Sequence, residues 1–226
     1  MNKEQFQAAI AKAQDISEKR NFTQSFDLII NLKGLDLKKP EHNVDAFITL
    51  SHSKGKKVKV CALVGAEFAE QAKSVVDNVV MSDNFERYKD KKEIKKLANE
   101  YDFFIAQANM MPNIATAFGR IFGPRGKMPN PKAGCIVPPN ANLKPLYEKL
   151  QKTIRATTKT APIIQCCIGT EDMKPSDVAD NAMTVFSTVL HTLPNEKHNI
   201  KDIYIKLTMG KPVKVGEQIE VTRETK

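Results

Sequence analysis

The chain has 226 residues, 41% of them hydrophobic, and carries 35 Lys and Arg against 26 Asp and Glu, for a formal net charge of +9 and a pI near 9.3. That apolar share supports a packed core and excludes a disordered tail, while the length suits one large domain or two modest ones. The basic balance favours a polyanion as partner, either nucleic acid or an anionic membrane surface.

No apolar run reaches the roughly 18 residues that a membrane-spanning helix needs. The segment Met1 to Arg20 is amphipathic and mixed in charge, without the apolar centre of a secretory signal, so a cytoplasmic location is expected. Cys61, Cys135, Cys166 and Cys167 form no C-x-x-C pair, and His42, His52, His191 and His198 are scattered. They read as idle or buried groups, with no metal and no cofactor expected.

Taken in chain order, residues 3–19 read as a helix, because Phe6, Ile10, Ala13 and Ile16 share one face. Phe26, Leu28, Ile30 and Leu32 alternate as one side of a strand. Residues 38–41 break the pattern as an exposed loop. Residues 46–50 and 58–64 read as strands about a turn at 53–56. The second becomes continuously apolar, as strands covered on both faces do.

The middle third changes character. Helices are predicted at 67–73, 90–99 and 110–118, with a short buried strand at 103–106, which suggests a small parallel sheet with crossover helices. Residues 119–140 hold four Gly and five Pro and read as irregular. A helix follows at 142–151, with Pro145 in its first turn. The last third resumes the pattern of the first, with a strand at 162–168, a long helix at 175–192 opened by Pro175, a strand at 203–207, and short strands at 212–215 and 218–221. The fold class is therefore mixed α/β, an α+β outer domain with an inserted α/β domain. The crossings are expected near Val60–Cys61 and Lys159–Thr160, giving 1–60 with 160–226 and 61–159.

Gly119 to Gly134 is the richest segment. It holds Arg120, Arg125, Lys127 and Lys132 and no acidic residue. Glycine lets backbone N–H groups approach a phosphate, and proline limits the conformations lost on binding. The segment is not a nucleotide-hydrolase phosphate loop: Ile121 stands where that pattern needs Gly, and Met128 where it needs Ser or Thr. Lys19 to Ser25 offers Phe22 to stack and Thr23, Gln24 and Ser25 to hydrogen-bond. Taken alone, Phe22 reads as a core residue. Thr208-Met209-Gly210 follows a strand and could admit an RNA backbone. No catalytic constellation emerges; Glu171 and Asp172 have no identified partner base.

The string Gly-Arg-Ile-Phe-Gly-Pro-Arg-Gly-Lys-Met-Pro-Asn-Pro-Lys-Ala-Gly at 119–134 resembles the signature of the universal L-one family of the large ribosomal subunit. Phe22–Ser25, Thr208-Met209-Gly210, Lys159-Thr160 and Ala179-Asp180-Asn181 match in order, and residues 35–40 resemble the archaeal and eukaryotic branch. The resemblance implies a discontinuous α+β rRNA-binding domain with a Rossmann-like, three-layer insert. It implies a protein that holds the mobile stalk beside the exit site, assists release of deacylated tRNA, and in some members represses translation through its own mRNA. It places rRNA contacts on Phe22, Thr23, Gln24, Ser25, Thr208, Met209 and Gly210, with Gly169 to Asp172 nearby. Arg120, Arg125, Lys127 and Lys132 would form a secondary phosphate-facing loop. Thr170 and Asp172 depart from the family's Lys and Ser, which argues against direct contact by Asp172.

On this reading the partners are stalk rRNA, exit-site tRNA and the protein's own mRNA, with no membrane, and the protein is a ribosome-associated monomer when free. The competing reading is a phosphate-handling enzyme using loop 119–134, which would need a titratable base beside it. A membrane-surface protein would need its cations on an amphipathic helix.

Overall fold

The computed structural model describes residues 1–39, 42–88, 90–139, 141–158 and 160–216. In chain order the elements are α1 (Lys3–Ile16), β1 (Ser25–Leu32), β2 (Asp45–Thr49), β3 (Val60–Val64), α2 (Ala66–Lys73), β4 (Asn78–Met81), α3 (Lys91–Glu100), β5 (Phe103–Gln107) and α4 (Met111–Arg125), then β6 (Ile136–Val137), α5 (Leu143–Lys152), β7 (Thr153–Thr157), β8 (Ile163–Thr170), α6 (Pro175–Thr192), β9 (Ile200–Leu207) and β10 (Val213–Lys214). They form two compact units, Met1–Lys56 with Ile154–Lys226, and Lys57–Thr153.

These divisions fall a few residues before the expected 60/61 and 159/160. Local bonds explain the shift. Lys57 Nζ pairs with Asp77 at 2.9 Å, and the Gln151 amide clamps Val58, accepting from its N–H at 2.9 Å and donating to its carbonyl at 2.8 Å. Residues 57–59 therefore belong to the insert. On the return, Val44 N donates to Thr158 Oγ1 at 3.0 Å and β7 pairs with β2, which fixes residues after 153 to the outer unit. Lys159, and the strand expected at 218–221, lie outside the described residues.

In the outer unit, β10-β9-β1-β8 form an antiparallel sheet. Alternation buries Phe26, Leu28, Ile30 and Leu32 of β1, matched by Ile203, Ile205 and Leu207 of β9 and Ile164, Cys166 and Ile168 of β8. That face packs against α1 and α6, where Phe6 and Phe186 meet with ring centroids 6.0 Å apart. Fully buried Phe6 anchors the layer; truncation to Ala would cost about 3–5 kcal/mol. Asn181 is buried in α6. It donates to Ile168 O and accepts from His52 N, both at 2.9 Å, so it binds β8 to the turn before the insert.

In the insert, β4-β3-β5-β6 are parallel. Counted within the insert the order is 2-1-3-4, that of one common doubly wound parallel sheet. Cys61, Leu63, Phe104 and Ala106 face a core shared with α3 and α4. Three strands escaped the sequence reading, β4, β6 and β7: β4 has four residues without alternation, β6 only two inside the segment read as irregular, and β7 alternates but follows directly on α5.

The largest correction concerns residues 119–140. The helix predicted to end at 118 continues as α4 to Arg125, through Gly119, Gly123 and Pro124, and ends at Gly126 with φ +67°. Ile114, Phe118, Ile121 and Phe122 recur on its buried face, with Phe118 and Phe122 stacked at 5.2 Å. Tertiary packing of that face outweighs the cost of about 1 kcal/mol per helical glycine. Pro124 forfeits the bond its N–H would make to the carbonyl of residue 120, and the helix ends two residues later at Gly126.

Candidate nucleic-acid interface

The first-strand register creates the site. Ser25 faces Thr170 on β8, and Phe26 faces both Gly169 on β8 and Leu207 on β9, so three strands end together. Past that end, Thr208 replaces a missing backbone partner. Its Oγ1 accepts from Ser25 N at 3.0 Å and donates to Ser25 O at 3.3 Å. Gln24 is 1% exposed and joins three segments. Its N–H donates to Glu171 Oε1 at 2.9 Å and its carbonyl accepts from Glu171 N at 3.0 Å. Its Oε1 accepts from Met209 N at 3.1 Å, and its Nε2 donates to Glu18 O at 3.3 Å. Gln24 was expected to reach outward; its polar groups are spent inside the fold. It and Ser25, 6% exposed, set the frame.

The frame presents an apolar and hydroxyl surface. Phe22 is 51% exposed and Met209 63%, the two most exposed large hydrophobic side chains among the described residues. Thr23 and Thr208 are exposed beside them. The reading of Phe22 as core is thus overturned: β1 begins at Ser25, and the buried alternation starts with Phe26.

Both glycines of the expected site have internal reasons. A Cβ at Gly169 would lie 3.0 Å from Val178 Cγ2 and 3.2 Å from Met173 Sδ. One at Gly210 would overlap the Ser17 hydroxyl. Gly55, at φ +80°, brings the 53–56 turn against Thr170, whose hydroxyl fills the space of a Cβ there. Lys19, Arg20, Lys174 and Lys211 are exposed on the flanking segments, as is Asp172. Asp27, on the next outward position of β1, has its carboxyl raised above the ordinary value by burial, against the lowering pull of Lys206 and Lys56.

The secondary loop separates into two groups. Arg120 and Lys132 are exposed. Arg125 Nη1 instead donates to Asn99 Oδ1 and to Lys95 O. Lys127 Nζ donates to Tyr101 O at 2.5 Å, and burial lowers its pKa. Lys127 therefore pins the end of α4 and its ammonium is turned to the fold, while Arg125 is bonded to α3 but stays exposed with Arg120 and Lys132.

At the switch between β3 and β5, where doubly wound folds place ligands, Gln107 Oε1 accepts from Gly65 N at 3.0 Å and caps the start of α2 itself. No cluster of three His, Cys, Asp or Glu suited to a metal occurs among the described residues. The buried thiols of Cys61 and Cys166 are pushed up to about 12 by burial, far from nucleophile values.

The model of the family described as "Ribosomal protein L1p/L10e family" matches residues 11–211. The chain belongs to that family. A member of it is a structural, rRNA-binding constituent of the ribosome and not an enzyme. Among the similar L1-family proteins, the large ribosomal subunit protein uL1 of Methanothermococcus thermolithotrophicus is 41% identical over 95% of this chain and 99% of its own length. Those of Methanocaldococcus jannaschii and Nanoarchaeum equitans are 39% and 43% identical, over 96% and 91% of this chain and 98% and 97% of theirs. The expected archaeal affinity of this L1-family chain is thus met.

Proposed function

We propose that the chain binds the rRNA of the mobile stalk of the large subunit through Phe22, Thr23, Thr208 and Met209. From there it assists release of deacylated tRNA from the exit site. One observation carries the reading: two large apolar side chains stand open at one strand end, on a frame in which Gln24 and Thr208 are bonded internally. Folded RNA hides its base edges in a deep groove, so recognition relies on shape, ribose hydroxyls and stacking. This surface has the chemistry for that. A copy of the same RNA shape in the protein's own mRNA would be bound the same way and repress translation. The free protein acts as a monomer. Arg120 and Lys132 add sequence-independent attraction.

The test is titration against a stalk-like rRNA fragment and an RNA duplex of equal charge. Preference for the fragment by tenfold or more, lost in Phe22→Ala with Met209→Ala, is the expected result. Equal affinity for both RNAs would reject the reading. The enzyme alternative gains no support, because Lys127 of that loop is bound to a carbonyl.

A further inference from the structure

The insert holds a second charged surface, on α3 and α4. Ile94, Leu97 and Ala98 define the buried face of α3. Lys91 and Ile94 line an open groove of about 840 Å³ together with Asn113, Thr116 and Arg120 of α4. Tyr88 lines the same groove while packing on Phe118, ring centroids 5.6 Å apart. Glu93 and Glu100 lie on the opposite flank of α3, where with Lys96 they line a second cavity against β4 that shares Tyr88 with the groove. Asp90 is occupied as the α3 cap, accepting from Lys92 N at 2.9 Å. Residues 103–147 contain no Asp or Glu at all. The groove itself is lined by the cations Lys91 and Arg120, with Lys92 and Lys95 exposed on the same helix beyond it; Asp83, which accepts from the groove residue Ser82 at 3.0 Å, is a carboxylate at its edge.

This sorting runs against helix stability. Lys91 with Lys95, and Lys92 with Lys96, are like charges one turn apart, and Lys91 and Lys92 oppose the positive end of the helix dipole. A merely solvated face would favour the reverse placement. An aromatic ring beside a row of cations is instead the combination that holds single-stranded nucleic acid, with bases on the ring and phosphates along the charges.

We propose that this groove binds a single-stranded RNA segment. Its phosphates lie along Lys91, Lys92, Lys95 and Arg120, and a base stacks on Tyr88. The proposal rests on the RNA-binding reading above and shares Arg120 with it, but uses none of the residues of the strand-end site.

The experiment uses the full chain and a short uridine oligonucleotide, titrated over a range of salt. Replacing Lys91, Lys92, Lys95 and Arg120 with Gln should weaken binding and lower the log–log salt slope by roughly 0.7 for each phosphate no longer neutralised. Replacing Lys73, Lys144, Lys149 and Lys152, exposed on α2 and α5, should leave the slope in place. Tyr88→Leu, which keeps apolar cover on Phe118, should weaken binding at an unchanged slope. An unaltered slope in the first variant, or an equal drop in the second, overturns the proposal, as does equal affinity for a duplex. Phe22→Ala reports on the strand-end reading separately: it should lower affinity for the rRNA fragment and spare the oligonucleotide.

Discussion

Thr208 belongs to the frame and to the surface at once, which separates two effects usually confounded. Thr208→Ala leaves the Ser25 N–H without its partner, so urea denaturation should show a loss of about 1–3 kcal/mol, and Thr208→Ser should recover most of it. A stable Thr208→Ala variant that fails to bind RNA would show instead that the hydroxyl serves the ligand alone. Phe22→Ala should behave oppositely. Its ring is half exposed, so stability should change by less than about 0.5 kcal/mol. Affinity for the rRNA fragment should fall by about 1–3 kcal/mol, the worth of a stacked base. At Gly210 the clash is with the protein's own Ser17, whose hydroxyl is buried without a partner among the described residues. Gly210→Ala should therefore destabilise the free protein, and Ser17→Gly in the same chain should restore part of the loss. Purely additive effects in that double-mutant cycle would refute the contact. Asp27 adds a pH signature. The folded chain holds its proton more tightly than the unfolded chain, so stability falls as pH rises from the ordinary carboxylate range through the raised value. Asp27→Asn should flatten thermal midpoints across that window.

Helix α4 makes a prediction of its own. Nothing lies within 4 Å of a Cβ at Gly119 or Gly123. Gly→Ala at either position should raise stability by about 0.5–1 kcal/mol, read from the denaturation midpoint; a decrease would mean that the helix needs its bare backbone. The same helix shows where sequence reading stops. Ile114, Phe118, Ile121 and Phe122 carry a helical period through the glycines, but local Gly and Pro signals pointed to irregular structure, and only packing against α3 and β5 decides between them. Strand β1 was legible because alternation from Phe26 to Leu32 is a local property. So was α6, which starts at Pro175 and ends at Thr192 as its periodicity predicts. At the site, the sequence marked Phe22 and Met209 as neighbours in function through motif order. It could not show that Gln24 is consumed internally, because its partners Glu171, Met209 and Glu18 are supplied by the fold. The inward turn of Lys127 was hidden for the same reason: charge is visible in a sequence, but the Tyr101 carbonyl that takes its proton donor is not.

Across the molecule, the strand-end residues all fall in the outer unit, although they come from residues 22–25, 169–171 and 208–210. A shortened chain joining 1–56 to 154–226 should therefore retain the rRNA-fragment affinity of the full chain within a few-fold, by titration at fixed salt. Folding of this chain without binding would move the site elsewhere. The α3–α4 groove is confined to the other unit, so this shortened chain should lose the oligonucleotide-dependent salt slope.

The position of β1 has a consequence for biosynthesis. It is flanked in its sheet by β8 and β9, both made more than 130 residues later. During synthesis, which proceeds from the N-terminus, the insert has all four of its strands before β1 has either neighbour. The nascent outer unit therefore waits with an apolar strand unpaired, the state most open to aggregation or chaperone capture. The strand-end frame closes only with Thr208, whose hydroxyl bonds Ser25 and which is among the last described residues to emerge. The surface carrying Phe22 and Met209 is therefore assembled after the insert already has all its strands.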